Sequence, residues 1–228
     1  GMRLRRTLDW PLPGLGRTVV VAQQRGGAGE YCSVTWPGYV GVLTGMAPGR
    51  FAAAINQPPL RRITGLLPLD WLIARRRLWQ SRALPPSHLL RRVFDECRSF
   101  AEARRALIEA PLCAPTFYSL VGTQPGEGCI VERTETAAAV RDAPCVVANH
   151  WTGFAASGHD RGYDSPARHA AMRLALEEGG DGLEWLSPPV LNPTTRLAVT
   201  ANPAKGLLRL QGWEKDGPAT AMFSLPQT

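Results

Sequence analysis

Lysine is nearly absent from this chain. Of the 26 basic residues among 228, only Lys205 and Lys215 are lysines, so arginine carries the formal net charge of +7. The arginines come scattered in pairs, and the densest run, Arg75-Arg76-Arg77, sits inside an amphipathic stretch. That distribution reads as a solvated helix face, not a phosphate-tracking stripe, and no nucleic-acid partner is expected. Long apolar runs are also lacking: none approaches the ~20 residues that cross a membrane. The first residues, Gly1-Met2-Arg3-Leu4-Arg5-Arg6, hold no apolar core of a secretory signal, so a cytoplasmic chain is the expectation. Cysteine is sparse and unpaired in pattern, at positions 32, 97, 113, 129 and 145. An odd set without Cys-x-x-Cys argues against a disulfide framework or a zinc site and predicts reduced, mostly buried thiols. No metal or organic cofactor is expected.

What remains is the composition of an ordinary globular chain, 44% apolar and 20% charged, of a length that one domain spanning 1–228 can bury around a substantial core. Local patterns predict strands over 2–9, 18–23 and 30–35, then a hairpin of 39–44 with 51–56. After Pro58-Pro59 the texture turns helical over 69–78, 87–97 and 99–110, with Ser87 as one cap and Ser99 with Glu102 as a capping box. Strands resume over 116–121 and 128–133 around a Gln-Pro-Gly-Glu-Gly turn, and the run 145–148 reads as a third buried strand ending on Asn149-His150-Trp151. Ser165 as cap, Pro166 at the first helical position and Gly179-Gly180 as stop define one more helix. A hairpin of 195–200 with 207–213 closes the sequence. Strands, helices, strands, helix and strands predict an α+β domain with helices packed on sheets.

Several polar residues stand out within this frame. Arg168 lies in the first turn of a helix, where the positive end of the helix dipole makes a cation cost about 0.3–1 kcal/mol. Either it sits harmlessly at the surface, or it projects toward a carboxylate or a developing oxyanion. Asn149, at the end of a buried run, offers a neutral amide donor suited to an oxyanion, or else satisfies a turn. His150 beside it is read as a structural hydrogen-bonder, and Trp151 as the wall of a substrate pocket.

These residues fall inside longer motifs. Residues 115–151, the stretch Tyr39-Val-Gly-Val-Leu-Thr-Gly-Met-Ala-Pro-Gly-Arg-Phe51, Arg6-Thr-Leu-Asp9-Trp10, Asp164-Ser-Pro-Ala-Arg168-His-Ala-Ala-Met172, and Pro189-Val-Leu-Asn192 followed by 195–200 and 207–213 together resemble the acid ceramidase and N-acylethanolamine acid amidase family, N-terminal-nucleophile hydrolases related to choloylglycine hydrolases. The resemblance implies a four-layer αββα sandwich, here with its first strand missing. It also implies hydrolysis of a linear amide, with catalytic roles for Arg6, Asp9, Asn149 and Arg168 and substrate contacts from Asn56 and Trp151. Arg6 would pair with Asp9 and polarise a carbonyl, while Asp9 would orient an α-amine. The family's nucleophile is an N-terminal Cys whose α-amine is its base, expected upstream of Arg6 and not found among these residues. Gln57 replaces the family's common Glu. Two readings follow: a small-molecule amide hydrolase whose nucleophile lies outside this chain, or an inactive relative that binds an acyl or amide ligand or a protein partner, with a homodimer one form of it.

Overall fold

The computed structural model describes residues 1–177 and 179–226. The chain begins with β1 (Leu4–Asp9), β2 (Val20–Gly26), β3 (Gly29–Thr35), β4 (Thr44–Ala47), β5 (Phe51–Asn56) and the short β6 (Leu60–Arg61). Three helices follow: α1 (Leu67–Gln80), α2 (Pro86–Glu96) and α3 (Phe100–Glu109). Then come β7 (Thr116–Gly122), β8 (Gly128–Arg133), β9 (Ala138–Asp142), β10 (Gly158–His159) and α4 (Ser165–Ala175). The last elements are β11 (Thr195–Asn202), β12 (Leu207–Glu214), β13 (Gly217–Pro218) and β14 (Phe223–Leu225).

Two antiparallel sheets form the centre. One is ordered β2-β3-β4-β5-β7-β8-β9; the other runs β1-β11-β12-β13, with β14 also on β12. Side-chain alternation along each strand decides which layer it faces. From β5, Ala52 and Ala54 meet Leu4 and Leu8 of β1 and Leu197 and Val199 of β11 between the sheets. Phe51, Ala53 and Ile55 point the other way, onto Leu89, Leu90, Val93 and Phe94 of α2 and Leu107 of α3. Both faces of β5 are therefore buried, so its sequence is apolar without alternation. On the far side of the second sheet, α4 packs through Ala171, Met172 and Ala175 against Trp185 and Val190. Trp185 Nε1 donates to Thr200 Oγ1 of β11 at 2.9 Å. The result is the αββα sandwich.

Boundaries at the helices follow local chemistry. Ser99 Oγ accepts from Glu102 N–H at 3.2 Å, and Glu102 reaches back to Arg98 N–H at 2.7 Å, so the capping box stands one residue wider than its standard form. Ser99→Ala is expected to cost about 1 kcal/mol of stability, readable as a lowered denaturant midpoint at unchanged m-value.

Some sequence expectations fail here. Residues 145–148 are not a strand: the chain reverses through Thr134–Ala137, whose N–H and C=O bond across the turn, and β9 takes the edge place beside β8. Pro144 then removes a ladder donor, and side chains satisfy the following carbonyls: Ala148 O accepts from Asn56 Nδ2 at 3.2 Å and Val146 O from Arg141 Nη2 at 3.0 Å. The hairpin strand predicted over 39–44 is β4, which starts only at Thr44, because Val42 N–H bonds to Ser87 O at the start of α2. Ser87 itself lies inside α2, which begins at Pro86.

Two carboxylates, the buried Asp70 and the half-buried Asp181, should dominate the acid response. Burial alone would raise the pKa of each, but hydrogen bonds outweigh it: Thr64 and His159 hold Asp70 below the usual carboxylate range, and Lys205, Arg3 and Asn202 do the same for Asp181. A depressed carboxylate stabilises the fold above its unfolded pKa, near about 3.9, and that contribution vanishes as pH falls. Urea midpoints are therefore expected to drop steeply below about pH 4, and Asp181→Asn should flatten that slope.

Candidate active site

The polar residues converge at one end of the sandwich, where β1, α4 and the segment after β9 meet. Asp9 ends β1, past a bulge between Leu8 and Asp9. Its Oδ2 accepts from Arg168 Nη1 at 3.0 Å and from Asn192 Nδ2 at 3.2 Å, and its Oδ1 accepts from Thr195 Oγ1 at 3.0 Å. Arg168 Nη2 donates to Asn149 Oδ1 at 2.7 Å, and its Nε donates to Tyr163 O. All three nitrogens of this guanidinium are engaged. Burial lowers the Arg168 pKa, with Asp9 and then Asp164 working against it. Arg168 and Asp9 are each 7% exposed, so this is a buried ion pair.

Arg168 reaches Asp9 because of how α4 starts. The cap is Asp164, not Ser165: Asp164 adopts a left-handed conformation, φ 30°, and accepts from Ala167 N–H at 3.1 Å. That leaves the Ser165 hydroxyl to receive Asn149 N–H at 2.8 Å, and it lies 2.8 Å from His150 Nδ1. The loop before the cap needs Gly162, since a Cβ there would stand 2.7 Å from both Arg168 Nη2 and Asn149 Oδ1. Asn149 is held from the other side as well, with Nδ2 donating to Gln57 O at 2.7 Å. The fully buried Glu132 of β8 pins the next residues, accepting from the N–H groups of Thr152 and Gly153 at 3.1 and 3.0 Å and from the Thr152 hydroxyl.

Arg6 sits differently from expectation. On a strand, residues three apart point to opposite faces, and Arg6 faces between the sheets with Leu4 and Leu8 while Asp9 meets Arg168. Arg6 Nη2 donates to Ile55 O at 2.8 Å; its Nε and Nη1 are buried without a partner. Burial lowers its pKa to about 10, only partly countered by Asp9 and Tyr39, so it stays cationic at neutral pH. Arg6 lines a cavity of about 280 Å³ with Asn56 and Arg168. Residues 1–7 along β1, the edge strand of its sheet, form one wall, and β7, β8, residues 143–148 and α4 form the others.

Thus Asp9, Asn149 and Arg168 form one bonded cluster, and Arg6, Asn56 and Arg168 share the cavity. Trp151 does not line it; the indole packs edge-on against Phe117 and Phe154, at 4.8 and 5.4 Å. Asn192 and Thr195 are both bonded to Asp9, and nothing in the sequence singles them out as site residues. The nearest signal is a run of polar residues ahead of the last hairpin. Among the described residues, no group of three or more His, Cys, Asp or Glu could hold a metal ion.

The cysteines offer no poised thiolate. Cys32, Cys97, Cys113 and Cys129 are buried and unpaired, and Cys145 is half-buried. Burial pushes all five thiols up, Cys129 to about 12. Since the thiolate is the reactive form, Ellman's reagent at neutral pH should label at most Cys145 in the native protein and all five after denaturation.

No family model matches the chain. Over 116 residues it is 31% identical to acid ceramidase of Heterocephalus glaber, a match covering 51% of this chain and 28% of that protein. Human acid ceramidase matches at 31% over 117 residues, with the same coverage. The chain thus spans little more than a quarter of the length of the curated relatives it matches. Among solved structures, the Caenorhabditis elegans N-acylethanolamine-hydrolyzing acid amidase ortholog superposes with a TM-score of 0.65 at 19% identity, over 98% of this chain and 94% of that one. A mutant of conjugated bile acid hydrolase from Clostridium perfringens gives 0.61 at 11% identity, over 98% and 88%. The fold is that of the N-terminal-nucleophile hydrolases. Within that class, the likeness is to the acid ceramidase and N-acylethanolamine acid amidase type.

Proposed function

We propose that this chain is the substrate-binding and charge-organising body of a hydrolase that cleaves a linear, non-peptide C–N bond in an N-acyl amine or lipid amide, with an N-terminal Cys outside the 228 residues as nucleophile. The observation that carries the reading is Arg6, a buried cation with two unfilled donors, lining a cavity beside the Asp9–Arg168–Asn149 cluster. A carbonyl oxygen is the acceptor such donors suit. Relatives named for ceramide, N-acylethanolamine and conjugated bile acid hydrolysis support an amide as substrate.

In the proposed reaction the thiol sulfur bonds to the amide carbon while its proton passes to the α-amine. Arg6 and the second amide hydrogen of Asn149 stabilise the oxyanion. Collapse breaks the C–N bond, the amine leaves with the proton, and water then hydrolyses the thioester. Asp9, clamped by Arg168, orients the α-ammonium. No metal or organic cofactor takes part, and five unpaired thiols suit a cytoplasmic setting.

A second reading, an inactive relative that binds an acyl or amide ligand, draws support from one contact: an Asn149 amide hydrogen is already given to Gln57 O. In that case the free edge of β1 would suit pairing with a second copy. Mass spectrometry separates the readings. The chain with its native upstream residues, incubated with an N-acyl amine, should gain one acyl mass on an N-terminal Cys. Ligand binding without any adduct favours the second reading.

A further inference from the structure

A single hydroxyl ties two consecutive residues of the site to α4. Ser165, buried in the first turn of that helix, accepts Asn149 N–H at its Oγ, 2.8 Å away, and the same oxygen lies 2.8 Å from His150 Nδ1. One side chain therefore holds the backbone of residue 149 and the ring of residue 150. The hydroxyl is spare for this because Asp164 caps the helix in its place. His169, from the same helix, backs the His150 ring with centroids 5.2 Å apart.

Counting hydrogens fixes the direction of these bonds. A serine hydroxyl has one hydrogen and two lone pairs, and Asn149 N–H fills one lone pair. Among the described residues, the other hydrogen-bond partner of Ser165 Oγ is His150 Nδ1, so the hydroxyl hydrogen goes there. Nδ1 is then bare, and the neutral ring carries its hydrogen on Nε2. A hydrogen on Nδ1 would strand the buried hydroxyl's own hydrogen without an acceptor, a bias of about tenfold against that tautomer.

Asn149 needs such a support. Arg168 and Gln57 grip its side chain at Oδ1 and Nδ2, but residues 143–157 belong to no strand or helix, so no ladder fixes the backbone beneath that side chain. The Ser165 bond supplies the missing anchor, and it does so from the helix that also carries Arg168. A donor aimed in advance at a developing oxyanion is effective because nothing has to reorganise during the reaction. We propose that Ser165 and His150 are positioning residues: the Ser165 hydroxyl, oriented by His150 Nδ1, holds Asn149 so that its free amide hydrogen meets the carbonyl oxygen of an acyl amide. That role rests on the hydrolase reading, in which Asn149 meets an oxyanion. Neither Ser165 nor His150 touches the substrate.

The test is steady-state hydrolysis of an N-acyl amine by the chain with its native upstream residues. Ser165→Ala should lower kcat about 10- to 100-fold, the usual effect of a misplaced reacting group, and leave KM within about twofold. Ser165→Thr keeps the hydroxyl and should stay near the wild type. His150→Asn, whose Oδ1 can replace Nδ1 as acceptor, should lose less than His150→Phe. Asp164 still caps α4 in every variant, so circular dichroism should not change. A double-mutant cycle is the deciding arm: with Asn149→Ala already present, Ser165→Ala should cost nothing further in kcat, since it acts through that side chain. Equal costs with and without Asn149→Ala, or full kcat in Ser165→Ala alone, would overturn the proposal and leave the hydrolase reading in place. A wild type without turnover would instead fail the hydrolase reading. The same cycle is then read as affinity for the N-acyl amine, by calorimetry on the 228 residues. There a loss on Ser165→Ala that Asn149→Ala abolishes would support the positioning role, and additive losses or no binding would overturn it.

Discussion

Arg168→Met is expected to destabilise the fold by about 3–5 kcal/mol, because it strands the Asp9 carboxylate in a buried setting. In a protein of this size that corresponds to a thermal midpoint lowered by roughly 6–20 °C. Asn192 and Thr195 still donate to Asp9, but neither carries charge. The loss should reach beyond Asp9, because the same guanidinium anchors Asn149 and the Tyr163 carbonyl. A double-mutant cycle isolates the pair: Asp9→Asn with Arg168→Met should cost clearly less than the sum of the single changes. Additive costs would mean that the two groups do not act on each other.

Arg6→Met should move stability and activity in opposite directions. The native Arg6 holds a desolvated charge with two donors unfilled, and replacing such a group with an apolar side chain of similar length is often neutral or stabilising. The midpoint is therefore expected to hold or rise. Turnover of an N-acyl amide, in contrast, should fall about 10²–10³-fold, the usual consequence of losing one oxyanion donor, or about 2.7–4 kcal/mol of barrier. A functional group kept against the interest of stability behaves in this way. A lowered midpoint together with unchanged turnover would make Arg6 a structural residue.

The contrast between Arg6 and Arg168 also shows where sequence reasoning reaches its limit. Two arginines near the site were legible, one from a resemblance and one from its awkward place in a helix's first turn. Their partners were not. The pairing of Arg6 with Asp9 follows from closeness in sequence, whereas strand alternation sends them apart and delivers Asp9 to a residue 159 positions away. Helix α4 was visible from Pro166, but its cap falls on Asp164, because a left-handed aspartate leaves no mark in composition. The hairpin of β7 and β8 was plain from its Gln-Pro-Gly-Glu-Gly turn. Residues 145–148 have the same apolar texture as a strand and are half-buried or buried like one. What they lack is a neighbour to pair with, and that depends on where β9 goes. Asn192 and Thr195 lie at a junction without periodicity, so only the fold could attach them to Asp9.

Steady-state hydrolysis of an N-acyl amine is the most direct measurement of the central proposal, run on the chain beginning at a native upstream Cys, on its Cys→Ala counterpart and on the 228 residues alone. The account predicts turnover in the first only, reduced by Arg6→Met. Turnover by the 228 residues alone, or none from the Cys-initiated chain, would contradict it.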